Sequence, residues 1–453
     1  MNIGELVVAT HGRLVQGNPE WAIAHASVDS RKVQPGDLFV AVRGEHTDGH
    51  FYVERALAAG AEAVLMEQPL NLPPSVPAVL VDDVRRALLA AARRMADAYE
   101  GLVGAVTGSV GKTTTKELWA AAMAPLGPVF RNPGNFNSDI GMPLALFGLS
   151  GWHRGAVFEL GMRGRGEIAR LAAILRPRIG IVTVIGHAHL EILGSVEAIA
   201  RAKSELLSAL PQDGTAVLNA DDPWLDFLRL SAPHRVLLVG RSRAADLRIL
   251  GSESLGVEGS LLHLSYGSEN VTCRLQLVGE GAAFDAALAM GGALAAGVDL
   301  AAAAEALSRA EPPHGRLRVL AARGMTAIDD TYNASPQSLE VALQLLKELP
   351  CTGRRIAVLG DMRELGAEEA ALHRDMGRAA ARSADVVLAV GEYASLVAES
   401  ARAEGAEAVA LTEVGAVVPW LRRSCREGDV VLFKASRAIG LERALSGWLE
   451  VTS

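Results

Sequence analysis

The sequence predicts an α/β protein of three domains, the central one built on a mostly parallel, doubly wound sheet. Short apolar runs alternate with helical stretches along most of the chain, a pattern that favours parallel strands covered by helices. The length of 453 residues is more than one hydrophobic core supports. Ala, Leu, Val and Gly dominate and aromatic residues make up only 4%, as expected for Ala-rich helices packed on Val-rich strands.

Three regions of the chain differ in their residue patterns, and these differences set the predicted domain boundaries. Residues 1–98 carry mixed signals of a small N-terminal α/β domain and end in the Ala- and Arg-rich helix "DDVRRALLAAARRMADAYE". Residues 99–312 form the central domain, with the predicted strands "GAVFEL", "RIGIVTVIG" and "GTAVLNADD". The Pro-rich break "EPPHGR" separates it from residues 313–453, whose β-rich runs, among them "RRIAVLGD" and "DVVLFKAS", indicate a C-terminal dinucleotide-fold-like α/β domain.

Composition and charge exclude several classes of protein. The net charge of −8 argues against a general nucleic-acid-binding surface. No apolar run reaches the length of a membrane span, and the first residues lack the pattern of a signal peptide. The three cysteines are far apart and show no metal-binding spacing, which suits a reducing cytosol without structural disulfides. We therefore expect a cytoplasmic monomer with no nucleic-acid partner.

A glycine-containing loop after the first central strand predicts a phosphate site. In "AVTGSVGKTTTKELW" a strand runs into a turn and then into a helix that opens with Lys112 and Thr113. Backbone N–H groups of such a loop bind phosphates, the lysine contacts the outer phosphates and the threonine hydroxyl binds Mg²⁺. The common pattern has glycine where Val106 stands, and here the glycine is Gly108 instead. The competing interpretation is a plain glycine turn before an Ala-rich helix. The candidate nucleotide-binding residues are Thr107, Gly108, Ser109, Val110, Gly111, Lys112 and Thr113.

Acidic and histidine residues follow two neighbouring predicted strands. Glu159 ends "GAVFEL", and ligands of open α/β sheets bind beyond the carboxyl ends of strands. Its carboxylate suits Mg²⁺, although a strand-end carboxylate is also a common structural group. His187 and His189 follow the next strand, and their pattern alone does not separate them.

Lys203 is unusual because the chain contains only six lysines but 38 arginines. Its helix carries the apolar stripe Val196, Ile199, Leu206 and Leu210, and Lys203 lies within that stripe. An inward charge is costly unless it is paired or neutralised. A buried lysine that loses its proton can react with CO₂ to form a carbamate, which is a good Mg²⁺ ligand, whereas arginine cannot. A lysine whose ammonium reaches solvent fits the pattern equally well.

Nine motifs, in this order along the chain, resemble those of the Mur ligase family. They are "TGSVGKTT", "NPGNFNSDIGMPLAL", "FELGMRGRGEI", "HAHLEILGS", "RAKSEL", "LNADDP", "DDTYNASPQS", "LGDMRELG" and "VLFKASR". The resemblance spans essentially the whole chain. It implies a UDP-sugar-binding N-terminal domain, a central P-loop ATPase domain and a C-terminal dinucleotide-like domain. It also implies a catalytic and metal-binding set of Lys112, Thr113, Glu159, His189 and a carbamylated Lys203, with ATP and two Mg²⁺ ions.

The same resemblance assigns further residues to ligands. Arg316 is similar to an arginine that reaches ATP, and Asp330 to an acid that meets the ribose. The implied substrate contacts are Ser30, Arg31, Asp48, Gly49, His50, Asn135, Asn137, Asn333, Lys434 and Ser436. In three places the chain departs from the family: "LVGEGAAFDAALAM" lacks the asparagines that usually touch adenine, "NASP" replaces the more usual "NANP", and Ala435 replaces a glycine.

The activity that the resemblance implies is ATP-dependent amide formation in peptidoglycan precursor synthesis. The motifs are most similar to those of the member that joins D-alanyl-D-alanine to UDP-MurNAc-tripeptide through an acyl phosphate. Alternatives are the member that adds the third stem-peptide residue and a folylpolyglutamate-synthase-like ligase. The third-residue enzyme usually shows "DNPR" where this chain has "DDTYNASP". A guanine-reading "NKxD" is absent, which argues against a GTPase switch.

Overall fold

A computed structural model describes residues 1–44, 47–186, 190–233, 235–363 and 365–450. Within these residues the strands form three separate sheets, one after another along the chain. Each sheet is mostly parallel and is covered by helices, so the predicted α/β class is confirmed. No helix in the described part of the chain is both long and apolar enough to cross a membrane.

The first sheet belongs to the N-terminal region and has the strand order β1-β5-β4-β3-β2, with β1 antiparallel to β5. Its helices pack Ile3, Leu6, Leu88 and Ala91 against the sheet. The elements are α1 (Ile3–Thr10), β1 (Arg13–Gln16), β2 (His25–Ser27), β3 (Asp37–Val40), α2 (Val53–Ala58), β4 (Ala61–Met66), β5 (Ala78–Leu80) and α3 (Val84–Ala98).

The central sheet has the strand order β14-β13-β12-β11-β10-β9-β6-β8-β7 and is parallel from β7 to β12. Strands β12 to β14 form an antiparallel extension. Its strands are β6 (Leu102–Thr107), β7 (Val129–Arg131), β8 (Gly155–Glu159), β9 (Ile179–Val182), β10 (Thr215–Asn219), β11 (Arg235–Gly240), β12 (Leu247–Ser254), β13 (Ser260–Tyr266) and β14 (Glu269–Leu275). Its helices are α4 (Lys112–Ala122), α5 (Gly141–Leu146), α6 (Glu167–Leu175), α7 (Leu190–Leu193), α8 (Val196–Ser208), α9 (Leu225–Leu230), α10 (Glu280–Ala295) and α11 (Leu300–Ser308).

The third sheet has the strand order β15-β16-β20-β17-β18-β19, in which only β15 runs antiparallel among the described strands. Its strands are β15 (Arg318–Ala322), β16 (Met325–Asp330), β17 (Arg355–Gly360), β18 (Val386–Val390), β19 (Glu407–Leu411) and β20 (Val430–Lys434). Its helices are α12 (Pro336–Glu348), α13 (Glu369–Ala381), α14 (Ala394–Ala403), α15 (Val417–Ser424) and α16 (Glu442–Leu449).

Strand pairing in the central sheet brings the functional segments together. In the parallel registers Val106 of β6 lies beside Glu159 of β8, and Thr107 lies beside Val182 of β9. Three strands therefore end at one level, where the loop after β6 turns into α4. Parallel strands of this kind leave a crevice beyond their carboxyl ends, the usual place for a ligand.

Helix α4 is anchored beneath this crevice by Trp119, whose side chain is fully buried. A Cβ atom on Gly104 of β6 would lie 2.2 Å from the Trp119 ring, and one on Gly292 of α10 would lie 2.5 Å from it. Glycine at both positions gives the indole the space it fills between strand and helix. The ring thus fixes the start of α4, and with it the loop before the helix.

Candidate active site

The loop between β6 and α4 has the strand–turn–helix form that the sequence predicts. Gly111 has φ = +85°, a left-handed conformation that favours glycine. A Cβ atom on Gly108 would lie 1.8 Å from the Thr183 hydroxyl, so that position also requires glycine. The loop is tied to the segment after β9, because the Ser109 N–H donates to the Val184 carbonyl at 2.8 Å. The first N–H groups of α4 then face the crevice as a preformed anion site.

Glu159 lies directly beside this loop, and its carboxylate contacts two predicted site residues. The Thr113 hydroxyl donates to Oε2 at 2.7 Å, and Asn137 Nδ2 donates to Oε1 at 2.7 Å. Thr113 and Glu159 therefore offer a hydroxyl and a carboxylate oxygen at one point, which is the donor chemistry that Mg²⁺ prefers. Asn135 is exposed in the same loop as Asn137.

Lys112 and Lys203 converge on one oxygen atom. Lys112 Nζ donates to the Gly108 carbonyl at 2.8 Å, and Lys203 Nζ donates to the same carbonyl at 2.7 Å. The Lys203 side chain does not reach solvent, since the residue is only 1% exposed. The inward lysine that the helical spacing allows is therefore present, and a solvent-reaching ammonium is wrong for Lys203.

Both lysines are electrostatically perturbed by this arrangement. Burial, and then the neighbouring Lys112 ammonium, lower the pKa of Lys203 well below its usual value, although the Glu159 carboxylate raises it in part. Burial also lowers the pKa of Lys112, against the opposing effect of Glu159. Two ammonium groups that share one acceptor disfavour each other's charge, so Lys203 is the group predisposed to be a neutral amine.

Arg316, the last residue of the Pro-rich break, contacts the helix that follows the phosphate loop. Its Nη2 donates to the Thr113 hydroxyl at 3.1 Å, and its guanidinium lies 4.0 Å from the centre of the Tyr332 ring. Among the residues that the structure describes, none accepts a hydrogen bond from its buried Nε. A buried donor of this kind beside a phosphate loop suits an anionic ligand, because such a group is costly when it is left unsatisfied.

Asp330 and Lys434 form a buried ion pair at the ends of β16 and β20. Lys434 Nζ also donates to the Asn333 carbonyl at 2.9 Å, and the Leu317 N–H donates to Asp330 Oδ1 at 3.3 Å. Burial lowers the pKa of Lys434, an effect that Asp330 opposes. Both groups are thus engaged within the protein, so their predicted contacts with ribose and substrate stay predictions.

Ser436 lies in the loop after β20 and is buried. Its hydroxyl accepts the Arg363 N–H at 2.9 Å, and its own N–H donates to the Asp361 carbonyl at 3.1 Å. Ser436 therefore holds the segment "GDMR" against the end of β20. Asn333, which follows the neighbouring strand β16, is exposed.

The predicted nucleotide-sugar residues of the N-terminal region are mostly used in local bonding. Asp48 Oδ1 accepts the His50 N–H at 2.9 Å and contacts Nδ1 of the same ring at 2.5 Å. Nε2 of His50 accepts the Glu67 N–H at 2.9 Å, so both ring nitrogens are bonded inside the protein. A Cβ atom on Gly49 would lie 2.7 Å from the Val42 nitrogen, which excludes any larger residue. The residues of "DGH" thus stabilise the turn in which they lie through local hydrogen bonds. Direct contacts of their side chains with substrate stay predictions.

Ser30 and Arg31 occupy the turn beyond β2. Ser30 is buried, whereas Arg31 is exposed and its guanidinium forms an ion pair with Asp29 at 2.8 Å. The Arg31 side chain is the more available of the two for an anionic ligand. His187 and His189, including the predicted metal-associated histidine, lie outside the described residues.

Sequence reasoning missed Asp285, which faces the phosphate loop from α10. A Cβ atom on Gly111 would lie 2.1 Å from Asp285 Oδ1, and the Thr115 hydroxyl donates to that oxygen at 3.3 Å. Burial raises the pKa of Asp285 to about 8, despite the opposing effects of Thr115, Arg316 and Lys112. A signal was present, because Asp285 is the only charged residue of α10 beyond its first turn.

Comparison with known proteins gives one consistent family. The model of the Mur ligase family catalytic domain matches residues 22–98, that of the Mur ligase middle domain matches residues 106–293, and that of the Mur ligase glutamate ligase domain matches residues 315–437. A relative from Mycobacterium tuberculosis H37Rv, UDP-N-acetylmuramoyl-tripeptide–D-alanyl-D-alanine ligase, is 36% identical, with 96% of each chain covered.

Solved structures agree with that comparison. A crystal structure of MurF from Acinetobacter baumannii has a TM-score of 0.86 and 31% identity, with 99% of each chain covered. MurF ligase from Thermotoga maritima in complex with ADP has a TM-score of 0.78 and 28% identity, covering 95% of this chain and 98% of that one.

Proposed function

Because this chain belongs to the Mur ligase family, we propose that it joins D-alanyl-D-alanine to UDP-N-acetylmuramoyl-tripeptide in an ATP-dependent reaction. The products are the UDP-MurNAc-pentapeptide, ADP and phosphate. The observation that carries the proposal is the contact of Thr113 with both Glu159 and Arg316. It brings a carboxylate and a guanidinium to the first turn of the helix that starts at the phosphate loop, which suits the charge stabilisation that ATP-driven activation of a carboxylate needs.

The first step is activation of the tripeptide carboxylate, which is a poor electrophile by itself. A carboxylate oxygen attacks the γ-phosphorus of ATP, the bond from that phosphorus to the β,γ-bridging oxygen breaks, and ADP leaves. Lys112 and Arg316 would neutralise charge on the transferred group. Such transfers depend mainly on positioning and charge stabilisation, and oriented reactants account for about 7–11 kcal/mol of barrier lowering.

Two Mg²⁺ ions are proposed to accompany ATP. The residues present fit such ions, since the Thr113 hydroxyl and the Glu159 carboxylate meet beside the phosphate loop. The described residues contain no group of three His, Cys, Asp or Glu side chains that could hold a metal ion by themselves, and Mg²⁺ commonly uses one or two carboxylates plus substrate phosphates. Bound Mg²⁺ would supply charge stabilisation on the phosphate oxygens. Thr113 would hold one ion, and Glu159, with His189 and a carbamylated Lys203, would hold or orient the other.

We further propose that Lys203 carries a carbamate. Its neutral amine would attack CO₂, a C–N bond would form, and the departing proton would leave an anionic carbamate with two oxygens. The buried Nζ, the lowered pKa of Lys203 and the acceptor that it shares with Lys112 support this assignment. The modification would place an anion beside the Lys112 ammonium, which is an attractive arrangement, whereas two ammonium groups at this distance repel each other.

The second step is amide formation. The free amine of D-alanyl-D-alanine attacks the acyl-phosphate carbonyl, a tetrahedral intermediate forms, and phosphate leaves as the C–O bond breaks. Asn333, Lys434 and Ser436 would line the dipeptide's side of the crevice, while Asn135 and Asn137 would face the acyl phosphate. Closure around the reactants would exclude water, which otherwise hydrolyses the acyl phosphate.

Each of the three regions that carry a sheet has its own proposed role. We assign residues 1–98 to UDP-sugar binding, residues 99–312 to ATP binding and residues 313–453 to a C-terminal dinucleotide-fold-like domain. We propose that the enzyme acts in the cytoplasm, and its three free cysteines suit that reducing compartment.

Phosphate release from the purified protein tests the proposed function. We expect release only when UDP-MurNAc-tripeptide, D-alanyl-D-alanine and ATP are all present, and loss of the signal when any one is omitted. Turnover without D-alanyl-D-alanine, with meso-diaminopimelate or L-lysine and the shorter UDP-dipeptide supplied instead, would assign the chain to the third-residue reaction.

A further inference from the structure

Behind Glu159 lies a buried polar network that the proposed chemistry does not use. Lys116 of α4 and Asn132, just after β7, are each 0% exposed. Burial of an ammonium group and of an amide is costly unless each is fully bonded. Both bond to the backbone of a single segment, residues 132–137, which also supplies Asn137.

Asn132 continues the strand pairing beyond the end of β7. The last register pair joins Arg131 to Val157, two residues before Glu159. There the Asn132 Oδ1 atom accepts the Glu159 N–H at 2.8 Å, and Nδ2 donates to the Phe136 carbonyl at 2.8 Å. Nδ2 also contacts the Glu159 carbonyl at 3.4 Å. One amide thus bonds both peptide groups of Glu159 and fixes the direction of its side chain.

Lys116 fixes Asn132 in turn. Lys116 Nζ donates to the Asn132 carbonyl at 2.6 Å and to the Gly134 carbonyl at 3.3 Å. The Glu117 carboxylate, 3.1 Å away, balances its charge. Lys116 lies one helical turn after Thr113 on the same face of α4. Helix α4 therefore fixes Glu159 in two ways. Thr113 bonds its carboxylate directly, and Lys116 acts on it indirectly through the segment 132–137.

We propose that Lys116 and Asn132 are positioning residues that set the Glu159 carboxylate for a divalent cation. The inference rests on the proposed role of Glu159 in holding Mg²⁺. Asn137, carried by the same segment, donates to Oε1, so this oxygen depends on the network, while Thr113 holds Oε2 directly. Residues that orient a ligating group contribute about 10- to 100-fold to metal affinity or activity.

Binding of Mn²⁺ in the presence of ADP, measured by electron paramagnetic resonance, tests the inference without turnover. Mn²⁺ is a suitable probe because it prefers the same oxygen ligands as Mg²⁺. We expect Lys116→Met and Asn132→Leu to weaken Mn²⁺ binding by about 10-fold or more. Lys116→Arg, which keeps charge and donors, should retain most of the affinity, and Lys116→Gln serves if Lys116→Met does not fold.

Ser260→Ala is the matched control, because it removes a buried donor from the Leu277 carbonyl, 2.7 Å away in the antiparallel extension. Mn²⁺ affinity of Lys116→Met and Asn132→Leu equal to that of Ser260→Ala would overturn the inference. The Glu159→Gln variant separates the positioning role of Lys116 and Asn132 from the proposed metal-binding role of Glu159. If Glu159→Gln weakens Mn²⁺ binding and the network variants do not, the positioning role alone fails. If Glu159→Gln also binds normally, the proposed metal role of Glu159 fails.

Discussion

Lys112 and Lys203 donate to the same carbonyl oxygen, that of Gly108, at 2.8 and 2.7 Å. Lys112 belongs to the phosphate loop and Lys203 to α8, so the shared oxygen links two elements that are distant in sequence. Two cations at one acceptor are unstable unless one of them is neutral or modified. The pair therefore explains why α8 carries lysine in a chain with only six, and why arginine does not serve there.

Replacing Lys203 tests the carbamate. We expect Lys203→Ala to lower kcat at least about 100-fold, because an anionic ligand is lost, and a short carboxylic acid such as formate to restore part of it. Lys203→Arg should be equally inactive and should not respond to the acid. Lys347→Ala, at an exposed lysine of α12, should be unaffected. Full activity of Lys203→Ala without any acid would disprove the carbamate.

Tyr332 should position Arg316 for ATP. The centre of its ring lies 4.0 Å from the Arg316 guanidinium and 5.5 Å from that of Arg437, so one aromatic ring contacts two cations. A cation–π contact contributes roughly 0.5–2 kcal/mol, or about 2- to 30-fold. We expect Tyr332→Leu to raise the KM for ATP by that factor and Tyr332→Phe to leave it nearly unchanged. Equal effects of the two substitutions in steady-state kinetics would rule out a role of the ring.

Asp285 should make stability depend on pH. Burial raises its pKa to about 8 from an unfolded value near 3.8, so the folded state holds a proton that the unfolded state releases. The contribution of Asp285 to the free energy of unfolding is therefore most favourable below about pH 4, and it falls progressively as the pH rises to about 8. We expect Asp285→Asn to flatten the fall in the free energy of unfolding between pH 5 and pH 8, measured by urea denaturation. A parallel pH profile in wild type and variant would contradict this ionisation behaviour.

The Asp330–Lys434 pair should be structurally essential as a pair. Both partners are buried, so Lys434→Met leaves an uncompensated carboxylate and should cost about 3–5 kcal/mol in unfolding free energy. The double variant Asp330→Asn with Lys434→Met should recover part of that loss. If the single and double variants unfold at the same urea concentration, the two groups are not energetically coupled.

Local features of the sequence predict the fold, the loop before α4 and the place of Glu159 at a strand end, because periodicity and strand ends depend on neighbouring residues. Alternating apolar runs predict the sheets, and Glu159 ends a strand that pairs with the one before the phosphate loop. The inward direction of Lys203 follows from its place in a helical stripe. Its partner, the Gly108 carbonyl, could not be predicted, because the contact depends on how α8 packs on the sheet.

The residues that sequence reasoning missed are those whose role arises only from tertiary packing. Lys116 looks like an ordinary helix residue until the segment 132–137 closes over it. Asn132 acts through the end of an edge strand, a boundary that pattern reasoning places poorly. Conversely, His50 and Asp48 were predicted as substrate contacts from a motif, and the structure shows a local bonding role that the motif also serves.

The most direct test of the central claim is the fate of oxygen from the tripeptide carboxylate. UDP-MurNAc-tripeptide labelled with ¹⁸O in its terminal carboxylate would be turned over with ATP and D-alanyl-D-alanine, and the released phosphate analysed by mass spectrometry. An acyl phosphate predicts one ¹⁸O atom in each phosphate, because the carboxylate oxygen that attacks phosphorus leaves with it. Phosphate without ¹⁸O, released alongside amide product, would contradict the proposed mechanism.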